Sequence, residues 1–305
     1  MFLIPSAYLM CRPANFGFNP ETFSSNSFQQ VSNESTHTIS SLAMAEFDAM
    51  VSLLLQHEVS LVLVNDTPHP FKPDAVFPNN WFSTHSDGHL IIYPMAAQNR
   101  RTEVRFDVLE AISDKYTLLK RIDLQHKANE NKFLEGTGSL VFDHENKKCF
   151  ASVSSRTNSN LVEEVCRLLG YKSVIFSSYN AAGKLIYHTN MVLSIGNKFA
   201  VVCDDVIVER DYVLNELLDS KLEIIKITVE EMLSFGANML QLHNRKEQQL
   251  IMLSEAALKV FRPEILTWLN NYGKLLPVSI PTIEKVGGGS ARCMVAEIFK
   301  GKSTT

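Results

Sequence analysis

One local order recurs along this chain about five times: short β-branched or alternating runs bracket a segment whose apolar residues fall at helical spacing. An alternating βα order ordinarily implies a parallel doubly wound sheet. Hairpins placed before each helix do not suit that fold, because its strands are joined by helical crossovers. A ring of small ββαβ blades accommodates them. The repetition is one of pattern, with no residue-level internal repeat in the 305 residues.

The first predicted helix covers residues 39–58, with Leu42, Phe47, Met50, Val51, Leu54 and Leu55 on one face and Thr38 or Ser40 as its cap, followed by a strand at 61–64. A second unit is predicted as strand 89–93, helix 101–116 and strand 118–122. The third opens on a hairpin, 140–142 and 150–153 about a polar His144-Glu145-Asn146 turn, and continues as helix 161–169 and strand 174–176. The fourth turns at Gly196-Asn197, then gives helix 211–218 and strand 224–227. The fifth carries a long helix over 254–270, and a last apolar strand is expected at 294–299.

Composition narrows the partners. With 45% hydrophobic and 20% charged residues the chain has material for a large core. Its net charge is −4 and its basic residues are dispersed, so the electrostatic footprint for nucleic acid or anionic lipid is missing and a small-molecule partner is expected. Neither a signal peptide nor a run near the ~20 apolar residues of a membrane span is apparent, so no membrane association and a cytoplasmic location are expected. The five cysteines, Cys11, Cys149, Cys166, Cys203 and Cys293, are odd in number and never form a Cys-x-x-Cys pair, which argues for free thiols over disulfides or structural zinc. No His-Glu-x-x-His occurs, and Asp66, His69 and His85 read as loop residues, so no metal site is expected. A homo-oligomer is compatible with all of this.

The irregular stretch Asn15 to His37, polar but studded with Phe16, Phe18, Phe23 and Phe28, reads either as a flap over a site or as a surface loop pinned by aromatics. Three residues stand where chemistry is possible. Cys293 ends the run Gly287-Gly288-Gly289-Ser290-Ala291-Arg292-Cys293, and glycines allow close backbone approach to a ligand. A single cysteine is more often an inert small hydrophobe. As a nucleophile it needs a base or cation beside it; Arg292, on the opposite face of the expected strand, is a poor candidate. His188, in Ile186-Tyr187-His188-Thr189-Asn190-Met191, precedes an apolar strand, where a structural histidine is the ordinary reading. Glu135, in Phe133-Leu134-Glu135-Gly136-Thr137-Gly138, opens a hairpin and reads equally as a turn residue. Each sits at the mouth of a strand in a different unit, and a ring of units would bring them together.

At these residues the sequence resembles the guanidino-group-modifying superfamily: arginine deiminases, dimethylarginine hydrolases, succinylarginine dihydrolases and amidinotransferases. The resemblance runs from Asp74 to Cys293. It implies the pentein fold, a five-bladed pseudosymmetric α/β propeller of ββαβ units, formed here by residues 1–305 as one domain. It implies Cys293 as nucleophile, His188 as the proton carrier and Glu135 as the acid that orients it, with no cofactor and no metal. Arg101, in Arg100-Arg101-Thr102-Glu103-Val104, and Arg156, in Ser155-Arg156-Thr157-Asn158, match positions where the family holds a substrate carboxylate, a task suited to a bidentate fork. Asp74 matches the aspartate that receives the amino group.

The departures concern the reacting group. Dimethylarginine hydrolases place a Glu-Asp pair where this chain has Asn79-Asn80, and arginine deiminases have an aspartate where this chain has Asn190. An amide accepts from guanidinium without charge assistance but also offers a donor to a ureido oxygen. The Asn-Asn pair is similar to a subgroup of amidinotransferases or citrulline-utilising hydrolases. The resemblance therefore implies a cysteine-dependent hydrolase, deiminase or amidinotransferase acting on the guanidino or ureido group of arginine or a related amino acid, including citrulline. The rivals are a non-catalytic binding propeller, as in ribosome-binding anti-association factors, and an unrelated thiol hydrolase.

Overall fold

The computed structural model describes residues 3–301. Fifteen strands lie in these residues: β1 (Ala7–Arg12), β2 (Leu61–Asn65), β3 (Phe82–Thr84), β4 (His89–Ile92), β5 (Lys120–Asp123), β6 (Val141–Asp143), β7 (Lys148–Ser152), β8 (Lys172–Phe176), β9 (Leu193–Gly196), β10 (Phe199–Val202), β11 (Glu223–Lys226), β12 (Leu240–His243), β13 (Gln249–Ser254), β14 (Lys274–Val278) and β15 (Ala296–Ile298). They form five separate three-stranded sheets in a mixed α/β fold, four from consecutive strands and one, β15-β1-β2, from both ends of the chain.

Every sheet has one plan. A short leading strand pairs antiparallel with a middle strand, as Val141 faces Phe150, joined by a short turn in the four sheets built from consecutive strands. The middle strand then pairs parallel with a third, as Phe150 faces Val174, after a helical crossover. Middle strands are covered on both faces and so read as unbroken apolar runs, such as Phe199-Ala200-Val201-Val202, all buried. Third strands are edges, and charged residues such as Lys120, Arg121, Lys172, Glu223 and Lys226 discourage pairing with another chain. Leading strands β3, β6, β9, β12 and β15 touch one another between sheets, β15 against β3, β6 against β9 and β9 against β12. Each begins just after an irregular loop.

The helices depart from the sequence reading at three points. The first runs Thr36–Gln56 and is capped by Ser35, whose side chain accepts from the Thr38 amide; neither Thr38 nor Ser40 is the cap. Ile39, Ala43, Phe47, Met50, Val51 and Leu54 are its buried face, while Leu42 and Leu55 are exposed, so the buried stripe is narrower than the apolar one. This helix is long and apolar enough to cross a membrane by length and composition alone, and its buried face packs in one cluster with Tyr8, Met10 and Val76. The expected helix from 101 begins only at Phe106, since Asn99–Glu103 forms a 3-10 turn around a buried ion pair. The long fifth helix is broken into Glu255–Val260 and Pro263–Leu269: proline excludes the α conformation at Arg262, which is extended at ψ 145°. Arg292 and Cys293 likewise lie in a 3-10 turn, Ala291–Met294, before β15 rather than on a strand.

Two histidines are tied into the fold, His85 buried and His144 half-buried. His85 Nε2 meets Ser83 Oγ at 2.8 Å, and His144 Nδ1 meets the Tyr171 hydroxyl at 2.8 Å. Burial is the main cause that pushes both down to about 3. The unfolded chain therefore binds protons at these positions below pH ~6.5, while the folded chain refuses them until about pH 3. Stability should be full above pH ~6.5 and fall by up to about 1.4 kcal/mol per pH unit per histidine on acidification. Urea titrations at pH 7, 6 and 5 should show a steadily falling midpoint.

Candidate active site

Irregular loops at the strand ends converge on one small pocket, lined by Asp74, Asn80, Arg100, Arg156, His188 and Cys293 among others. Gly288 has φ 65°, a left-handed conformation, and a side chain there would press within 2.6 Å of Asn26 and Gln29. Its carbonyl accepts from the Tyr187 hydroxyl at 2.6 Å, and Asn26 Nδ2 donates to the Gly287 and Gly288 carbonyls. Asn238 Oδ1 accepts from the Arg292 amide at 3.1 Å. The cysteine loop is thus held from both sides.

The sulfur itself is surrounded by amides. Asn238 Nδ2 donates to Cys293 Sγ at 3.3 Å and Asn190 Nδ2 at 3.5 Å, while the thiol reaches Asn238 Oδ1 at 3.6 Å. Arg292 turns away, its guanidinium on Glu297 and the Val295 carbonyl. Asn190 Oδ1 is buried without a partner.

His188 Nε2 donates to Glu135 Oε2 at 2.8 Å, which fixes the ring and leaves Nδ1 with the lone pair in the neutral form. Burial, outweighing the Glu135 carboxylate, pushes His188 down to about 4, so the imidazole is neutral at pH 7. Glu135 is fully buried and accepts from the Ala96 amide at 3.1 Å. Burial would raise its pKa, but Arg156, the hydrogen bond from His188 and Arg100 together hold it well below the usual carboxylate range.

Arg156 does more than balance Glu135. Its guanidinium donates to Ser25 Oγ at 2.7 Å and to the Thr22 carbonyl at 3.0 Å, and it lies over the Tyr187 ring. Asn19 Nδ2 reaches Asp74 Oδ2 at 2.7 Å from the same segment. The stretch 19–30 is therefore closed over the pocket. Asp74 Oδ1 stays buried and unpartnered, and burial raises the carboxyl above its usual range despite Arg100, Asn19 and Arg156. A cationic amino group beside that oxygen would reverse the shift.

Arg101, expected to hold a substrate carboxylate, lies outside the pocket. Arg101 donates to the carbonyls of Met95 and Ala96 and does not line the pocket. Arg100 lines it instead, gripping Glu103 at 2.8 and 2.9 Å and donating to Asn80 Oδ1 at 2.9 Å. Burial, only partly offset by Arg100, pushes Glu103 up to about 7. A guanidinium only donates, so the Asn80 oxygen must face Arg100 and its Nδ2 must face away; that nitrogen has no partner. Asn79 is buried beneath, with neither side-chain polar atom bonded and no part in the lining.

Cys293, His188, Glu135, Arg156, Asp74, Asn80 and Asn190 are thus gathered around one site, with Asn79 under it. Asn238, Arg100 and the lid residues Asn19, Thr22 and Asn26 were not legible in the sequence. Asn238 had one available signal, its place just before an apolar run at Leu240. Asp66 is paired with Lys72 at 3.1 Å, and among the described residues no group of three or more His, Cys, Asp or Glu could hold a metal.

The family model described as N,N-dimethylarginine dimethylhydrolase, eukaryotic, matches residues 12–300. No curated protein sequence matches. Among solved structures, the N-terminal domain of ArgZ, a cyanobacterial arginine dihydrolase of the ornithine-ammonia cycle, is similar at 14% identity and a TM-score of 0.73, over 97% of this chain and 98% of that one. AgrE with L-arginine gives 13% identity and 0.74 over 98% of this chain, but only 41% of AgrE is covered. A dimethylarginine dimethylaminohydrolase variant, as an adduct with S-methyl-L-thiocitrulline, gives 14% and 0.67 over 96% and 100%. At these identities the structural likeness is one of fold.

Proposed function

Since the chain belongs to the N,N-dimethylarginine dimethylhydrolase family, we propose that it is a hydrolase that breaks a C–N bond in the guanidino or ureido group of an arginine-like amino acid through a covalent bond to Cys293. The observation that carries this reading is the pocket itself, lined both by a cysteine held by two amides and by a neutral histidine backed by a buried carboxylate. A further ArgZ structure, with an asparagine changed to serine, is described as covalently bound to a reaction intermediate. The five sheets suit closure into a ring of blades over 1–305, with the leading strands innermost.

The pocket divides into two ends. Asp74 Oδ1 would take the substrate amino group, and Arg156, turning from Ser25 and the Thr22 carbonyl, its carboxylate. At the other end the neutral His188 takes the Cys293 proton, the sulfur attacks the central carbon, and the resulting imidazolium is stabilised by Glu135. His188 then protonates the departing amine. Water, deprotonated by the same imidazole, attacks the carbon and the C–S bond breaks. No step requires a metal or an organic cofactor, and an acceptor amine in place of that water would make the reaction an amidino transfer.

A ureido substrate such as citrulline is favoured by one contact. Because Arg100 occupies Asn80 Oδ1, the free atom of that amide is a donor. A ureido oxygen accepts from it; a guanidinium has nothing to offer it. Asn80→Asp would replace the donor by a carboxylate oxygen, and the ratio of citrulline to arginine turnover should fall by about tenfold or more. The experiment incubates native and variant protein with arginine, methylated arginines and citrulline and measures ammonia, methylamines, citrulline and ornithine. A native preference for arginine would remove the ureido reading, and absence of turnover on every substrate would remove the proposed function.

A further inference from the structure

We propose that Asn238 is a catalytic residue of this site: its side-chain amide holds the Cys293 sulfur first as a thiol and then as a thiolate, supplying the stabilisation that a cation beside the nucleophile would otherwise give. The inference rests on the covalent reading above.

Asn238 completes a set. Asn80, Glu135, His188 with Asn190, and Cys293 stand just before the leading strands β3, β6, β9 and β15, and Asn238 stands in the same place before β12. It is fully buried and, unlike Asn80, His188 and Cys293, does not line the pocket. Its contacts are with the sulfur and the backbone on either side of it. Oδ1 accepts from the Arg292 amide at 3.1 Å and lies 3.6 Å from Cys293 Sγ as the acceptor of the thiol. Nδ2 donates to the Asn190 carbonyl at 3.2 Å and to Sγ at 3.3 Å. A backbone N–H only donates and a backbone carbonyl only accepts, so these two partners fix the polarity of the amide. It cannot flip, and it presents the sulfur with an acceptor and a donor at once.

The chemistry uses both atoms. Among the described residues no arginine or lysine donates to the sulfur, and Arg292 is turned onto Glu297. The charged groups that share the pocket are engaged elsewhere: Asp74 by Asn19, Arg100 by Glu103 and Arg156 by Ser25. Tyr187 gives its hydroxyl proton to the Gly288 carbonyl, and Glu135 stands behind His188. Burial makes His188 a reluctant proton acceptor. Transfer of the thiol proton to it therefore depends on how well the anionic sulfur is held, and donors already in place need no reorganisation as the charge appears. The sulfur is anionic twice in each cycle. Its proton first passes to His188 and the S–C bond forms; later, with water added to the carbon, the C–S bond breaks and its electron pair returns to sulfur. The proton that water gave to His188 then restores the thiol. Asn238 Nδ2 serves at both moments, with Asn190 Nδ2 at 3.5 Å as the second donor. A neutral ureido substrate brings no positive charge to share this task.

The test separates ionisation from position. Asn238→Leu keeps the branched shape and removes both polar atoms, and Asn238→Ala removes them without filling the space; variants are compared only when their circular dichroism matches the native protein. Alkylation by iodoacetamide, read on the Cys293 peptide by mass spectrometry, is followed from about pH 6 to about pH 10, because the thiolate is the form that reacts. A variant whose cysteine loop has merely moved changes rate by one factor at every pH. Loss of the donor instead moves the pH of half-maximal rate upward, by about one unit or more, and slows alkylation at pH 7 by about tenfold or more. Turnover should fall by about a hundredfold in kcat, with KM changed by less than about threefold because Asn238 does not line the pocket. Asn238→Ala decides the matter if Asn238→Leu does not fold. A folded variant whose half-maximal pH equals that of the native protein overturns the proposal whatever its activity. A native protein that turns over no guanidino or ureido substrate instead overturns the function reading, and the alkylation profile still decides the role of Asn238.

Discussion

Cys293→Ala is expected to lower turnover by about four orders of magnitude or more while leaving a folded protein, since removal of a covalent nucleophile eliminates the pathway rather than slowing it. The sulfur is buried and is the acceptor for the Asn190 and Asn238 amides. Asn190 Nδ2 keeps the Thr137 carbonyl and Asn238 Nδ2 keeps the Asn190 carbonyl, so losing the sulfur strands neither donor and should cost about 1 kcal/mol or less, which a large core can absorb. Asn238 still holds the Arg292 amide, so the loop keeps its course. Activity assays beside urea denaturation check both halves of the expectation. A variant that keeps more than about a hundredth of native turnover would be acting without the thiol.

Gly138→Ala is the second change with a large expected effect, although it leaves the identity of both nucleophile and base unchanged. A methyl group there would sit 2.6 Å from Asn80 Nδ2 and 2.6 Å from His188 Nδ1. Neither side chain has freedom to retreat: Arg100 grips the Asn80 oxygen, and Glu135 grips His188 Nε2. Overpacking at a rigid junction costs about 1–3 kcal/mol, and displacing a proton-carrying ring by about 1 Å is enough to lose some hundredfold in rate. We expect kcat to fall by about a hundredfold or more. Gly17→Ala is the contrasting change, because its added methyl would meet only Thr36 Cγ2 at 3.9 Å; its activity should stay within about twofold of native.

The sequence made the repeating plan legible because covered middle strands and amphipathic helices leave local signatures: Phe199-Ala200-Val201-Val202 and the Ser159–Leu169 helix announce themselves. Cys293, His188 and Glu135 were legible for a related reason, since each stands next to a local oddity of glycines or strand onset. What escaped was set by tertiary contacts. Whether Arg100 or Arg101 faces the pocket depends on the 3-10 turn that aims Arg100 at Glu103, and nothing local in Arg100-Arg101 decides it. Asn238 was missed with its strand: without β12 recognised, the fourth of the equivalent loops went unread. The lid reading of 15–37 stayed open because its closure rests on Arg156, distant in sequence, donating to Ser25 and Thr22. The Asn79-Asn80 pair looked like one feature, yet only Asn80 lines the pocket, and its polarity is dictated by a residue the sequence reading did not choose.

The covalent bond at Cys293 is the claim on which the rest depends, and acid-quench mass spectrometry addresses it most directly. Native protein mixed with arginine, a methylated arginine or citrulline, quenched during turnover and digested, should carry on the Cys293 peptide the mass of the substrate less its departing amine. The adduct should form at least as fast as product and be absent from Cys293→Ala. Steady product formation with an unmodified Cys293 peptide at every quench time, together with an active Cys293→Ala protein, would contradict the account.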